Sequence, residues 1–350
     1  MHMINSKIRV LAIDGGGIRG IIPAQILVHI EQILREISRN EEAKISDYFD
    51  LVAGTSTGGI LTALILAPDP EYSASDMVQL YVDHGEAIFT RSAMTKTIDR
   101  GALFHPLYQH EALEGILDDY LGDLKVGDLK RPCLIPAYNI ETGMAIFVSG
   151  LRISQNLHHD QLVKDVLRAT TAAPTYFAPS KNSSDAFIDG GMFANNPALC
   201  AYVEATKFPS EPRAQDIMIL SLGTGSINRY YPYELAKRWG RLSWIRPALE
   251  IYSSAASQTV NHQLEMLYTN KDREENYLRI EPDLRDFSVS PAMDNATASN
   301  IKGLIEVGEK IGEKYNEKLR SFLKQVVLSN AMSNHEKLYE DSKKDEASIK

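Results

Sequence analysis

Residues 48–66 read YFDLVAGTSTGGILTALIL. Tyr48–Ala53 is a short, mostly apolar run of the kind buried in a parallel sheet, and Gly58–Leu66 is an apolar stretch suited to a buried helix. Between them, Gly54-Thr55-Ser56-Thr57-Gly58 fits G-x-S-x-G. A sharp strand-to-helix turn needs small flanking residues, because its backbone is strained and passes close to its neighbours. Such a turn lifts Ser56 to a helix N-terminus, where free N–H groups and the helix dipole favour developing negative charge. The alternative is a glycine-rich helix entry in which Ser56 is only a cap.

The same alternation runs outward from this stretch. Arg9–Ile13 (RVLAI) is a second buried strand, followed by a glycine cluster and a helix from about Ile22, with Pro23 in its first turn and Ile26, Ile30, Ile33 and Ile37 on one face. Glu111–Leu121 has helical spacing and stops at Gly122. Cys133–Asn139 and Met144–Ser149 read as strands joined at Glu141-Thr142-Gly143. Asp160 is placed to cap a helix over Gln161–Thr170. Ala186–Ile188 and Ile217–Leu222 are further strands, running into Gly190-Gly191 and Gly223-Thr224-Gly225. Strands that alternate with helices and end in glycine predict an α/β fold with a mainly parallel central sheet covered by helices. Sites in such folds lie at the carboxyl ends of the strands. No linker rich in Pro, Gly or Ser interrupts the order. The expected organisation is therefore one domain over residues 1–330, then a polar tail over 331–350 that is flexible or helical.

The net charge of −9 disfavours general binding to nucleic acid. Two cysteines, Cys133 and Cys200, exclude a disulfide scaffold and a cysteine-rich zinc site, and suit a reducing compartment. A strand starting near Lys7 leaves no room for a secretory signal, and no apolar run of about 18 residues exists to span a membrane. A cytoplasmic protein is expected. One segment departs from the rest: Arg229–Arg246 (RYYPYELAKRWGRLSWIR) carries both tryptophans and a local charge of +4. Aromatic and basic residues together suit peripheral contact with a lipid–water interface, or alternatively a packed surface segment or subunit contact.

Asp14-Gly15-Gly16-Gly17-Ile18-Arg19-Gly20 also lies between a strand and a helix. Successive glycines let backbone N–H groups turn toward an anion, which for a serine hydrolase is the oxyanion of the tetrahedral intermediate. The spacing Gly15-x-Gly17-x-x-Gly20 satisfies a dinucleotide fingerprint too, but that needs an acid about 20 residues on at the end of the next strand. Here that strand ends at Ala53-Gly54, and Glu41 and Glu42 precede it. A tight turn with no ligand is the remaining option. Ser56 also needs a base. Asp189, at a strand end before Gly190-Gly191, is the candidate, against an ordinary Asp-Gly turn. His262 would complete the chain order Ser–Asp–His, but Val260, Leu264 and Leu267 place it on a helix rather than in a loop after a strand. A lone carboxylate working near neutrality requires a pKa raised by burial.

Together, Asp14–Gly20, Gly54–Gly58 and Asp189–Gly191 resemble the patatin-like phospholipase family, as do Ile21-Ile22-Pro23-Ala24, Ala172–Phe177, Asn195-Asn196-Pro197 and Asn276-Tyr277-Leu278-Arg279. The resemblance runs from about Ile8 to Val327. It implies a modified α/β-hydrolase fold and a Ser56–Asp189 dyad without histidine. It also implies an oxyanion hole lined by Gly15, Gly16, Gly17 and Arg19. The activity it implies is hydrolysis of fatty acyl esters of phospholipids, galactolipids or neutral lipids, with no metal ion or cofactor, on membrane or micellar substrate. Some relatives are antiphage effectors switched on by a cyclic dinucleotide, and some plant members serve mainly as storage protein. The motifs do not fix the head group, the activator or the oligomeric state.

Overall fold

The RVLAI run sits at the centre of an eight-stranded sheet. The structure is a computed structural model describing residues 7–90, 105–226, 230–269 and 274–348. Its strands are β1 (Ile8–Ile13), β2 (Leu51–Gly54), β3 (Cys133–Asn139), β4 (Met144–Ser149), β5 (Ser180–Lys181), β6 (Ala186–Asp189), β7 (Ile217–Leu222) and β8 (Tyr277–Ile280). The order across the sheet is β5-β6-β3-β2-β1-β7-β8, with β4 paired to β3. From β3 to β8 every neighbour is parallel, while β4, β6 and β5 join antiparallel on the other side. The sheet is thus mixed, with a parallel core as the sequence predicts.

Among the described residues, helices of eight or more residues are α1 (Ile21–Ser38), α2 (Thr57–Leu66), α3 (Ala74–Ile88), α4 (Glu111–Leu121), α5 (Val163–Thr170), α6 (Ala198–Ala205), α7 (Arg241–Tyr268), α8 (Ala298–Lys314) and α9 (Asn316–Ser348). The period of two along the central strands divides them between two cores. Leu11, Ile13, Val52, Ile135, Leu220 and Leu222 pack with α1, α2, α3 and α8 on one face. Val10, Ala12, Ala53, Leu134 and Ile219 face α6 and α7 on the other, where Ala198, Ala201 and Ala205 let a helix approach closely. Both faces of β1 and β7 are therefore buried, which is why their sequences read as mostly apolar runs, broken only by Arg9 and Ser221, rather than as alternating ones.

Two sequence boundaries shift for local reasons. Tyr48 has ψ −10° and is not extended, so β2 begins only at Leu51. Just before it, the Asp50 carboxylate accepts the Arg9 backbone N–H at 2.8 Å and the Arg9 Nε at 2.7 Å. Asp160 does not cap the helix after it. Leu162 is extended and pairs with Lys125, so α5 starts at Val163, and the Asp160 carboxylate accepts the Gly127 N–H at 3.0 Å. The backbone of α9 crosses residue 330 without a break and stays helical to Ser348.

Candidate active site

The β2–α2 connection makes the sharp turn that its glycines suggest. Ser56 has φ 54° and ψ −121°, a conformation that costs a non-glycine residue about 1–3 kcal/mol. Bonds from several elements hold it there. The Ser56 N–H donates to Thr170 Oγ1 at 3.0 Å, and that hydroxyl donates to the Pro136 carbonyl at 2.6 Å. The Thr55 N–H donates to the Ile13 carbonyl at 3.2 Å, and its hydroxyl to Ala194 O at 2.7 Å. Gly58 is required by close approach: a Cβ there would lie 2.2 Å from the Ile13 carbonyl oxygen. Gly54 abuts the Gly58 carbonyl from the other side of the turn.

Strand register brings Asp189 to this turn. Val52 pairs with Cys133 and Ala53 with Leu134 on β3, while Ala137 of β3 pairs with Asp189 of antiparallel β6. β3 runs on past the end of β2, and β6 comes back along it to deliver Asp189 beside the Ser56 turn. The Ser56 hydroxyl is close enough to donate a hydrogen bond to the Asp189 carboxylate. Oδ1 also accepts the Gly191 N–H at 2.6 Å. Asp189 is 5% exposed, and burial pushes its carboxyl up to about 6 even though both hydrogen bonds favour the ionised form. Gly190 abuts the Pro136 carbonyl, which keeps the strand end tight against β3.

The glycine loop follows β1, directly beside β2. Its Asp14 N–H donates to Leu222 O at 2.9 Å and its Ile18 N–H to Met293 O at 2.9 Å. The Gly15 N–H is used by the Asn195 carbonyl at 3.1 Å, so Gly15 contributes space beside Ser56 rather than a donor. The Gly16 and Gly17 amides have no acceptor among the described residues. Gly17 takes φ +59° with Met293 packed on it, which a side chain would block. Thr224, from the turn after β7, lies against Gly16 and donates its hydroxyl to Gly15 O at 2.8 Å. Gly20 abuts Thr57 and the buried Tyr81 hydroxyl.

Arg19 is buried, and its Nη1 donates to the Gly225 carbonyl at 3.1 Å. This bond braces the loop against the turn after β7. Asp14 is buried and gripped by Arg279 of β8, with Nη1 to Oδ1 at 2.7 Å and Nη2 to Oδ2 at 2.6 Å. Burial pushes the Asp14 carboxyl up, opposed by the charges of Arg279 and Arg19. Burial alone would lower the Arg279 guanidinium, but Asp14 and Glu281 outweigh it and raise it.

His262 lies on α7 with its side chain exposed. Ser257 of the same helix faces the site, accepting Asn195 Nδ2 at 3.5 Å; five residues on, His262 points about 140° away around the helix. Sequence reasoning assigned no part to Thr170, Thr224 or Asn195. Thr224 carried a local signal, its place between two glycines after a strand, and Asn195 lay in one of the stretches that resemble the family.

Within Arg229–Arg246, Arg229 and the side chains of Ile245 and Arg246 lie outside the described residues. Trp239 is half-buried, edge-on to Tyr231 and Trp244 at centroid distances of 5.4 and 5.1 Å. Around this stack Tyr230, Tyr233 and Leu242 are 83%, 74% and 84% exposed. Among the described residues no helix is long and apolar enough to cross a membrane, and no group of three or more His, Cys, Asp or Glu is placed to hold a metal ion.

A serine at a strained turn thus stands beside a buried carboxylate and a glycine loop. The patatin-like phospholipase family matches residues 11–202. The chain belongs to that family. It is 33% identical to patatin-like protein 3 of Arabidopsis thaliana, over 87% of this chain and 80% of that protein. It is 32% identical to patatin-2-Kuras 3 of Solanum tuberosum, over 88% and 84%. A third relative, at 32% identity over 88% and 87%, is the probable inactive patatin-3-Kuras 1 of the same plant. VipD from Legionella pneumophila aligns with a TM-score of 0.36 and 13% identity, over 87% of this chain and 67% of that one. As a patatin-like protein the chain falls among the lipid acyl hydrolases, which are carboxylic ester hydrolases. With one relative named inactive, the residues at the site decide whether this chain turns over.

Proposed function

We propose that this patatin-like protein hydrolyses fatty acyl ester bonds of phospholipids or galactolipids through a Ser56–Asp189 dyad. The observation that carries the reading is the Ser56 hydroxyl, held at a strained turn within hydrogen-bonding reach of a buried carboxylate whose pKa stands near 6. Asp189 takes the Ser56 proton as Oγ attacks the acyl carbonyl, and the Gly16 and Gly17 amides receive the oxyanion. The alcohol or lysolipid leaves with that proton. Asp189 then accepts a proton from the water that attacks the acyl-enzyme and returns it to Ser56 Oγ as the fatty acid is released.

Ser56→Ala and Asp189→Asn should each abolish hydrolysis of a soluble acyl ester, and their losses should not add, because the two residues act as a unit. Wild-type turnover in Asp189→Asn would exclude the dyad. Hydrolysis should persist in excess EDTA, since nucleophile, base and donors leave no step for a metal. A lipid panel, run with and without cyclic dinucleotides, identifies the head group and tests for an activator.

The same reading places the enzyme in the cytoplasm, meeting lipid peripherally through the Arg229–Arg246 segment. Position supports this. The chain leaves the site at Thr224, which holds Gly15, and returns to it at Ser257, which holds Asn195. The exposed aromatic and basic segment lies on the excursion between those two points, which ties it to the site at both ends.

A further inference from the structure

Backbone amides stabilise an oxyanion only if they are aimed before charge develops. A run of three glycines is the least self-ordering backbone available, so its aim must be imposed from outside. The Asp14–Arg279 pair imposes it. Asp14 immediately precedes the glycines and is fixed at both ends, by its N–H to Leu222 O and by its carboxylate in a bidentate grip. Arg279 stands opposite Ser221 in the β7–β8 register and donates to its hydroxyl at 2.7 Å, reaching past β7 to the end of β1. Its Nη2 also pairs with Glu281, which packs on Gly223, the residue before Thr224. Thr224 in turn holds Gly15. One guanidinium thus ties together the ends of three strands, without touching the reacting atoms.

We propose that Arg279 is a positioning residue for hydrolysis: by clamping Asp14, and through Glu281 the turn after β7, it sets the aim of the Gly16 and Gly17 amides. The proposal rests on those amides receiving the oxyanion. A planar fork is required, because a lysine offers a point charge that cannot grip both Asp14 oxygens and Glu281 together.

The test uses the full chain with Arg279→Lys, Glu281→Gln and Ser56→Ala, a fluorophosphonate that labels active serine, and a soluble monomeric ester. For Arg279→Lys, labelling should still reach the wild-type stoichiometry at Ser56. The labelling rate constant and kcat should both fall by about ten- to a hundredfold. KM should stay within about twofold, and the acid limb of the pH profile should stay near 6, as the base is untouched. A purely structural role gives the opposite result: reduced stoichiometry with a wild-type rate at each labelled site, which overturns the proposal. If Arg279→Lys does not fold, Glu281→Gln decides, because it leaves the Asp14 grip in place. A lower kcat at unchanged KM supports the proposal, and unchanged kcat overturns it. Wild-type protein that labels no more than Ser56→Ala overturns the hydrolase reading and this proposal with it. Normal wild-type labelling with an unaltered Arg279→Lys rate overturns this proposal alone.

Discussion

As the base of the proposed dyad, Asp189 has to satisfy two opposing demands. It must be ionised to accept a proton, yet a carboxylate at its usual pKa is too weak a base near neutrality. Burial supplies the compromise by raising its pKa to about 6. The kcat/KM profile should therefore rise through an apparent pKa near 6 on its acid side; a limb near 4 would mean that Asp189 is not the titrating base. The same shift affects stability. The folded pKa lies above the unfolded value of about 3.9, so the folded state keeps the proton longer. Stability is greatest below about pH 4, falls as pH rises to about 6, and stays lower above that by about 3 kcal/mol. Asp189→Asn removes this cost. It should raise the melting temperature at pH 8 and leave it nearly unchanged at pH 4, and an equal effect at both would refute the linkage.

At the scale of elements, the β2–α2 turn is built by close approach. Gly58 lies in the first turn of α2, where helix propensity alone favours alanine by about 1 kcal/mol. Its Cβ would nevertheless meet the Ile13 carbonyl, which is backbone and already accepts the Thr55 N–H. Gly58→Ala should cost about 2 kcal/mol or more and disable Ser56, as read by thermal melts and phosphonate labelling. Gly115 in α4 is the counterpart: it is exposed, and its Cβ would meet nothing within 4 Å. Gly115→Ala should stabilise the protein by about 0.5–1 kcal/mol with activity unchanged. Equal effects of the two substitutions would show that approach to β1 is not what Gly58 provides.

Over the whole molecule, the acidic surface is interrupted by the excursion between Thr224 and Ser257. Trp239 lies within its aromatic stack, so replacing it would disturb the segment itself. Leu242 and Tyr233 are the better probes, because both project into solvent and neither lies in the site. Leu242→Asp with Tyr233→Ser should weaken vesicle binding and slow hydrolysis of aggregated lipid by about tenfold, leaving monomeric esters nearly unaffected. Binding to anionic vesicles should fall with added salt, as exposed Arg238 and Arg241 are screened. Parallel losses on both kinds of substrate would make the segment structural.

What the sequence determined by itself was local. Apolar runs closed by glycine marked β1, β2 and β7, a hairpin signal at Glu141-Thr142-Gly143 marked β3, and the three glycine-bounded motifs named Ser56, Asp189 and the loop between β1 and α1, because buried strands and tight turns restrict the residues within a few positions of themselves. β8 escaped that reading: Tyr277–Ile280 is four residues long, with a charged one inside it. Its strand character comes from pairing with β7, and its Arg279 is tolerable in a sheet only because Asp14 waits at the end of β1. Tertiary structure likewise decided that antiparallel β6 returns Asp189 beside a serine 133 positions earlier in the chain. It also spent the Gly15 amide on Asn195 while leaving those of Gly16 and Gly17 without an acceptor among the described residues, and set His262 on the outer face of α7. Each of these depends on which distant groups meet, and hydrogen bonds and buried charges are settled only by partners that no local window of sequence contains.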